Sequence, residues 1–286
     1  MNTKSTADHQ IKWWAIIVFL ACYILYSAQI AVAQSNDYIT HFPAGSFNWT
    51  TGIVTATGSA VPEKSEKKDT YESVHKAALH DAESKIITIL KRLGINNSLT
   101  VGDYANPVIP AGLEQIGREA TISKQIYTSA MAVDITLETS IFGGFLQLVL
   151  PGEIRQLPLV TPVIHQNKDM TDNEPYTGLI VDARGLGLEP VLNPTIINDH
   201  GQAVYSSAFI SREYAVQEGV CKYIRYTDKM LADPRTGSNP LMLKALRREG
   251  KRKATLVISM ADYEILEKVT ERHGFFSECR VIIILE

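Results

Sequence analysis

The chain contains 286 residues, enough for two domains of ordinary size. Apolar residues make up 45% of it and charged residues 21%, which excludes wholesale disorder, collagen-like structure and a polytopic membrane protein. The net charge of −3 at pH 7 argues against a protein built mainly to hold nucleic acid, since that function needs a strongly basic face.

The N-terminus has the features of a secretory signal peptide. Lys4 and Lys12 precede an apolar run over residues 13–26, and Ala31-Val32-Ala33 forms a small-x-small cleavage site. We therefore predict a signal peptide over residues 1–33 and a periplasmic location for the remainder.

Two other interpretations of this leader also export the rest of the chain. Residues 13–33 are long enough to remain as an uncleaved membrane anchor, with positive charges on the side that stays in the cytoplasm. Lipid attachment at Cys22 has weaker support, because Phe19 stands where a lipobox has leucine and the apolar run continues past the cysteine.

Removal of the leader leaves two cysteines, Cys221 and Cys279. In an oxidising compartment, two cysteines favour one disulfide, which would stabilise the fold by about 4 kcal/mol through loop closure. Two separately buried thiols are the alternative, since free cysteine packs as a small hydrophobic residue. The sequence does not decide between them.

The first predicted domain covers residues 52–150, after an N-terminal arm over 34–51 that lacks clear periodicity. A strand rich in β-branched residues spans 52–58, and a helix of about 24 residues follows and ends at Gly94. Apolar residues recur along that helix at spacings of three and four. The members of this stripe are Tyr71, Val74, Ala78, Ala82, Ile86, Ile89 and Leu93.

Two further strands complete the first domain. Residues 127–138 alternate between apolar and mostly polar side chains, which predicts a strand covered on one face. Gly143-Gly144 permits a turn into a second strand over 145–150, so the long helix would cover an antiparallel sheet. The prolines and polar residues of 151–175 then predict a linker.

The second predicted domain covers residues 176–286 and alternates strands with helices. Its predicted elements are a strand over 176–183, a hairpin over 195–205, a helix from Pro240 to Gly250, a strand over 255–258, a helix capped by Ser259 and a buried strand over 280–285. The last three elements favour a parallel βαβ crossover in a mixed sheet. The fold class is therefore α+β, with two small α/β units.

The motifs of the common catalytic sites are missing from the sequence. Gly185-Leu186-Gly187 follows a strand, but the third glycine of a dinucleotide fingerprint is absent and Pro190 interrupts the expected helix. His75 and His80 lie five residues apart, which points them to different sides of the helix. We assign no catalytic, cofactor-binding or metal-binding residue, and we expect no enzyme activity and no cofactor.

Two segments are candidates for binding. Asp182 and Arg184, with Tyr176 nearby, could form a ligand-binding turn, or the two charges could form a local surface pair. The second segment is a basic cluster within ten residues, which could bind an anionic envelope polymer, lipid headgroups or an acidic protein, or could be a solvated helix end. Its members are Lys244, Arg247, Arg248, Lys251, Arg252 and Lys253.

The first domain resembles the N-terminal domain of the flagellar assembly protein T and the small outer-membrane lipoproteins first described as a 20-kDa antigen. The resemblance lies in the strand Thr55-Ala56-Thr57-Gly58-Ser59-Ala60, the helix segment over 76–82 and the late strand over 132–137. The second domain, through residues 176–190 and 279–285, is similar to bacterial envelope proteins. The resemblance implies an exported structural protein without catalytic residues.

These observations lead to two hypotheses about function. The first is a non-enzymatic periplasmic protein that serves as a structural or assembly factor in a flagellar or secretion-type assembly, and whose partners are envelope proteins. The alternative is a periplasmic module that binds a small ligand or glycan at the Asp182–Arg184 turn, in a pocket lined by aromatic residues such as Tyr176 and Tyr205.

Overall fold

The computed structural model describes residues 36–62, 71–104, 106–128, 132–152, 154, 175–227, 230–270 and 274–286. Residues 36–286 form one compact unit, and the predicted signal peptide and most of the predicted linker lie outside the described residues. None of the described helices combines the length and hydrophobicity needed to cross a bilayer. The fold is α+β, as the sequence predicted.

The first sheet has five strands in the order β1-β2-β3-β5-β4, and every neighbouring pair is antiparallel. The strands are β1 (Ile39–Phe42), β2 (Gly45–Asn48), β3 (Ile53–Ala60), β4 (Thr121–Tyr127) and β5 (Val133–Ser140). The predicted arm over 34–51 is therefore wrong, because most of it forms the β1–β2 hairpin. These short strands carry too few residues to show a period of two.

Helix α1 (Tyr71–Arg92) covers this sheet, and the predicted long helix is confirmed. The buried members of its stripe are Val74, Ala78, Ala82, Ile86 and Ile89, together with Leu90 and Leu93. Tyr71 is the exception at 47% exposure. The alanines allow a close approach to β3, where a Cβ added to Gly58 would overlap the α1 backbone at Ala78 and Ala82.

Two predictions in this region are wrong, and one helix was not predicted. The predicted strand over 127–138 is divided, because Tyr127 ends β4 and β5 begins at Val133. Helix α2 (Ile109–Glu119) was not predicted, and it carries a proline in its first turn, where no N–H is needed. The predicted strand over 145–150 is wrong, because residues 145–149 belong to helix α3 (Gly144–Val149), and a short apolar run cannot be assigned by periodicity alone.

The C-terminal region contains a parallel sheet of four strands in the order β10-β6-β13-β9. Its strands are β6 (Gly178–Asp182), β9 (Lys222–Ile224), β10 (Pro240–Lys244) and β13 (Val281–Ile284). All four residues of β13 are buried, as the continuous apolar run predicted. The predicted helix at Pro240 is wrong, because Leu241 and Leu243 are buried and alternate with exposed Met242 in β10.

A third, mixed sheet has the order β11-β12-β7-β8. Its strands are β7 (Thr195–Asn198), β8 (Ala203–Tyr205), β11 (Arg247–Glu249) and β12 (Thr255–Ile258). The β7–β8 hairpin is confirmed. Helices α4 (Arg212–Glu218) and α5 (Met260–Thr270) complete the region. The predicted βαβ unit is wrong in one respect, since α5 connects β12 and β13 of two different sheets.

Hydrogen bonds and ring contacts connect the N-terminal sheet to the C-terminal region. The Thr50 hydroxyl donates to the Tyr223 carbonyl over 2.7 Å, and the rings of Trp49 and Tyr223 meet edge to face at 5.5 Å. The N–H of Leu192 donates to the Gly94 carbonyl over 2.8 Å. One hydrophobic core therefore draws residues from both regions.

Candidate functional site

Asp182 and Arg184 form a tight pair at the carboxyl end of β6. Arg184 Nε donates to Asp182 Oδ1 over 2.9 Å, and Nη2 donates to Oδ2 over 2.7 Å. The guanidinium also lies 4.1 Å from the ring centroid of Tyr226. The hydrogen bond from Arg184 holds the pKa of the Asp182 carboxyl below its usual range. The arrangement matches the local pair that was one of the two interpretations.

The structure does not bring Tyr176 to this turn. Tyr176 precedes β6, whereas Asp182 ends it, so the length of this five-residue strand, about 16 Å, lies between them. Tyr205 cannot line a pocket beside them, because it is fully buried and its hydroxyl donates to the Val220 carbonyl over 2.6 Å. The aromatic pocket expected around the Asp182–Arg184 turn is therefore not built from these two tyrosines.

The basic cluster lies on strands and a turn, so the expected helix end is wrong. Lys244 ends β10, where its register partner is Asp182 of β6, and Arg247 and Arg248 lie in β11. Parallel pairing of β6 and β10 thus brings the basic cluster and the Asp182–Arg184 turn to one end of the sheet, although they are some sixty residues apart in the chain.

Only part of the cluster is neutralised. Arg247 pairs with Glu249 over 2.7 Å, and Arg252 pairs with Glu189. The remaining four cations have no ion pair within the part of the chain that the structure describes. They are Lys244, Arg248, Lys251 and Lys253.

The structure has Cys221 and Cys279 as free thiols, in place of the disulfide that was one of two alternatives. Each thiol contacts a tyrosine, Cys221 with Tyr223 and Cys279 with Tyr205. Burial raises the pKa of Cys221 to about 12 and that of Cys279 to about 11, and nearby Arg235 lowers both in part. Both groups are therefore protonated, and weakly nucleophilic, at neutral pH.

We expect both thiols to react slowly with a disulfide reagent at pH 8 in the folded protein and rapidly in denaturant. Their raised pKa also stabilises the fold below the unfolded thiol pKa, and this stabilisation declines as pH rises from about 9 through the folded values. Absorbance of the released reagent anion, measured with and without denaturant, checks the first expectation. Fast modification of Cys221 or Cys279 in the folded protein, with Cys22 replaced by serine so that no third thiol reacts, would contradict the raised pKa values of these two thiols.

Strand β4 is the feature that sequence inspection missed. It lies at the end of the first sheet, pairs with β5 alone among the described strands, and exposes all seven of its residues. Ile122, Ile126 and Tyr127 are each more than 40% exposed. A long edge strand with exposed apolar residues is a surface onto which another strand can add. The β-branched and aromatic residues of this segment are typical of a strand, and they could have predicted β4 from the sequence.

The start of α1 extends this edge. The rings of Tyr71 and Tyr127 lie 4.9 Å apart, and Gln125 Nε2 lies 3.4 Å from His75 Nε2. The Tyr127 hydroxyl donates to Gln125 Oε1 over 2.9 Å. These contacts hold the carboxyl half of β4 against the helix, so the strand is ordered while its outer edge remains open. We call β4 with Tyr71 the β4 edge.

Two further observations concern cavities and metal ligands. A groove of about 460 Å³ lies between α2, β5 and α3, with Glu119 and Glu138 in its wall. No group of three or more histidine, cysteine or acidic side chains among the described residues is placed to hold a metal ion. Among the described residues, the basic cluster contains four cations without an ion pair, and β4 exposes all seven of its residues.

Comparison with known families gives one match. The family described as Treponema pallidum Tp0624, second domain, matches residues 178–286, which run from β6 to β13 and the end of the chain. No curated protein matches the chain. The C-terminal region is thus similar to a domain of a Treponema pallidum protein, and the resemblance to the flagellar assembly protein T stays a prediction.

Proposed function

We propose that the chain is an exported, non-enzymatic protein of the cell envelope that acts as a structural or assembly factor by docking other proteins. The observation that carries the proposal is the β4 edge, whose strand has seven consecutive exposed residues and, among the described strands, a neighbour on one side only. The leader supports export, and the missing catalytic motifs support a binding role. A flagellar or secretion-type assembly is the setting that the resemblance implies.

The pairing of β4 with β5 indicates which backbone groups are available to a partner. Thr128 N–H donates to the Ala132 carbonyl, and the register pairs Ile126 with Asp134 and Gln125 with Ile135. Because antiparallel pairs alternate between bonded and non-bonded, Ile126 directs its N–H toward β5 and Gln125 directs its N–H outward. The outward groups would pair with an added strand.

The side chains of β4 indicate what kind of strand it would accept. Lys124 is the only charged residue of β4. If the β4 strands of two copies paired in the register centred on Lys124, the two lysines would lie opposite each other. Repulsion between these like charges disfavours self-association in that register. A partner strand with an acidic residue opposite Lys124, and with β-branched or aromatic residues beside Ile122 and Ile126, fits the edge. The basic cluster would provide a second contact, to an anionic envelope polymer or an acidic protein.

Replacing Gln125 by proline is expected to abolish docking and to lower the melting temperature only slightly, through loss of the Gln125 side-chain contacts with His75 and Tyr127. Proline removes the outward N–H and is tolerated at an edge position whose N–H does not bond within the sheet. Immobilised wild-type protein should retain one dominant assembly from an envelope extract of the producing cells, and the Gln125→Pro protein should retain at least tenfold less. Circular dichroism melting shows whether the fold is preserved.

Two matched variants make this test specific. Ile126→Pro removes an inward N–H and should lower the melting temperature, which confirms the assignment of bonded pairs. Gln115→Ala changes an exposed helix residue away from β4 and should retain the assembly fully. Equal retention by the wild-type and Gln125→Pro proteins would rule out docking at the β4 edge.

A further inference from the structure

The loop that follows β6 combines open backbone donors with unpaired cations. We propose that residues 183–188, together with Arg248 and Lys244, form a binding site for a phosphate-type oxyanion. This inference goes beyond docking at β4 and does not depend on it, since the loop belongs to the parallel sheet of the C-terminal region.

The backbone of the loop provides the first part of the site. Gly185 and Gly187 have φ angles of +74° and +60°, in the left-handed region that glycine adopts without strain. The N–H groups of Gly185, Gly187 and Leu188 have no acceptor among the described residues. Leu188 is only 5% exposed, and an N–H that is buried without a partner is rare in folded proteins. Open N–H groups around left-handed residues form the concave nests that bind anions.

The side chains provide the second part. The Arg248 guanidinium lies against Gly187, so closely that a Cβ at that position would collide with its Nη1. Lys244 ends β10 beside Asp182. The carbonyl of Lys253 accepts the N–H of Glu189, which brings the turn after β11 next to the loop. Cations from two strands and a turn therefore lie on the segments that border this loop.

The acidic groups near the loop do not cancel this charge. Each of the three carboxylates is already paired with its own arginine, Asp182 with Arg184, Glu189 with Arg252 and Glu249 with Arg247. Lys244, Arg248 and Lys253 remain without an ion pair in the described structure. The electrostatic potential that they leave is positive, and an anion would neutralise it.

The position and the donors together indicate the class of ligand. Ligands of open parallel sheets bind outside the carboxyl ends of the strands, and this loop begins where β6 ends. A guanidinium fork with several N–H donors suits a tetrahedral oxyanion, because more than one of its oxygens can accept hydrogen bonds at the same time. Inorganic phosphate and the phosphate of an anionic lipid headgroup share this chemistry.

Titration of the ¹⁵N-labelled protein with inorganic phosphate, at constant ionic strength, tests the site. We expect saturable shifts of the amide resonances of Gly185, Gly187 and Leu188, and an affinity reduced about tenfold or more in Arg248→Gln. Arg280→Gln changes a surface arginine that pairs with Glu278 and is the matched control, with unchanged affinity. Lys244→Gln is the second variant, should Arg248→Gln fail to fold.

Three outcomes would overturn the proposal. These are shifts that do not saturate, equal shifts with acetate in place of phosphate, and equal affinity in the wild-type and both site variants. Flotation with phosphatidylglycerol vesicles, compared with phosphatidylcholine vesicles, then separates the two sources of phosphate. Binding that needs Arg248 assigns the site to a headgroup, and binding of free phosphate alone assigns it to a soluble ligand. Loss of docking in Gln125→Pro leaves this titration unchanged.

Discussion

Replacing Gly58 by valine is expected to remove much of the stability of the protein. A Cβ at this position would overlap the Ala78 carbonyl oxygen and the Ala82 backbone N of α1, and backbone atoms cannot move aside as a flexible side chain can. Overpacking of this kind costs about 3 kcal/mol or more, a large part of the 5–15 kcal/mol that usually stabilises a domain. Urea unfolding followed by circular dichroism measures the loss.

Gly144→Ala is the matched control for this substitution. A Cβ at Gly144 meets no atom within 4 Å, and its φ is not in the left-handed region. Since Gly144 begins helix α3, alanine should change the stability by less than about 1 kcal/mol. If Gly58→Val unfolded at the same urea concentration as wild type, the close contact of β3 with α1 would be incorrect.

Arg235→Met is expected to destabilise the C-terminal region by about 2–3 kcal/mol, since hydrogen bonds to a charged group are strong and their loss leaves acceptors unpaired. The guanidinium donates to three backbone carbonyls, those of Cys279 over 2.9 Å, Glu218 over 2.7 Å and Gly219 over 2.6 Å. The Arg235 side chain therefore joins the end of α4 to Cys279, which lies two residues before β13. Methionine keeps most of the apolar stem and removes only these bonds.

Arg280→Met separates this effect from the general loss of a positive charge. The Arg280 side chain is 43% exposed and pairs with Glu278 over 2.6 Å at the surface, where an ion pair contributes about 1 kcal/mol or less. Thermal unfolding of both variants at pH 7 gives the comparison. Equal stability of the two variants would show that the three carbonyls find other donors.

The elements that the sequence predicted well are those whose apolar period extends over several turns. In α1 the stripe from Val74 to Leu93 extends over five turns, so neither its type nor its buried face was in doubt. The errors occur in short elements. Helix α3 has six residues and β10 has five, too few for a period of 3.6 to be told from a period of two.

The sites depend on long-range pairing that one sequence does not contain. Asp182 and Lys244 were each noticed, but only the parallel register of β6 and β10 makes them neighbours. The openness of β4 depends on the sheet order, which places β5 between β3 and β4 and leaves nothing described beyond β4. The residue types therefore indicated which side chains carry charge, whereas the sheet topology determines which of them lie next to each other.

The order of the parallel sheet has a consequence for how the protein folds. Strand β6 lies between β10 and β13, and both partners come much later in the chain. Closing loops over such separations costs conformational entropy before the contacts between the strands can form. Sheets of this type therefore fold slowly. The first sheet is built largely from neighbouring strands, with hairpins at β1–β2 and β4–β5. During synthesis, which proceeds from the N-terminus, β4 and β5 would thus both be present before either partner of β6 has been made.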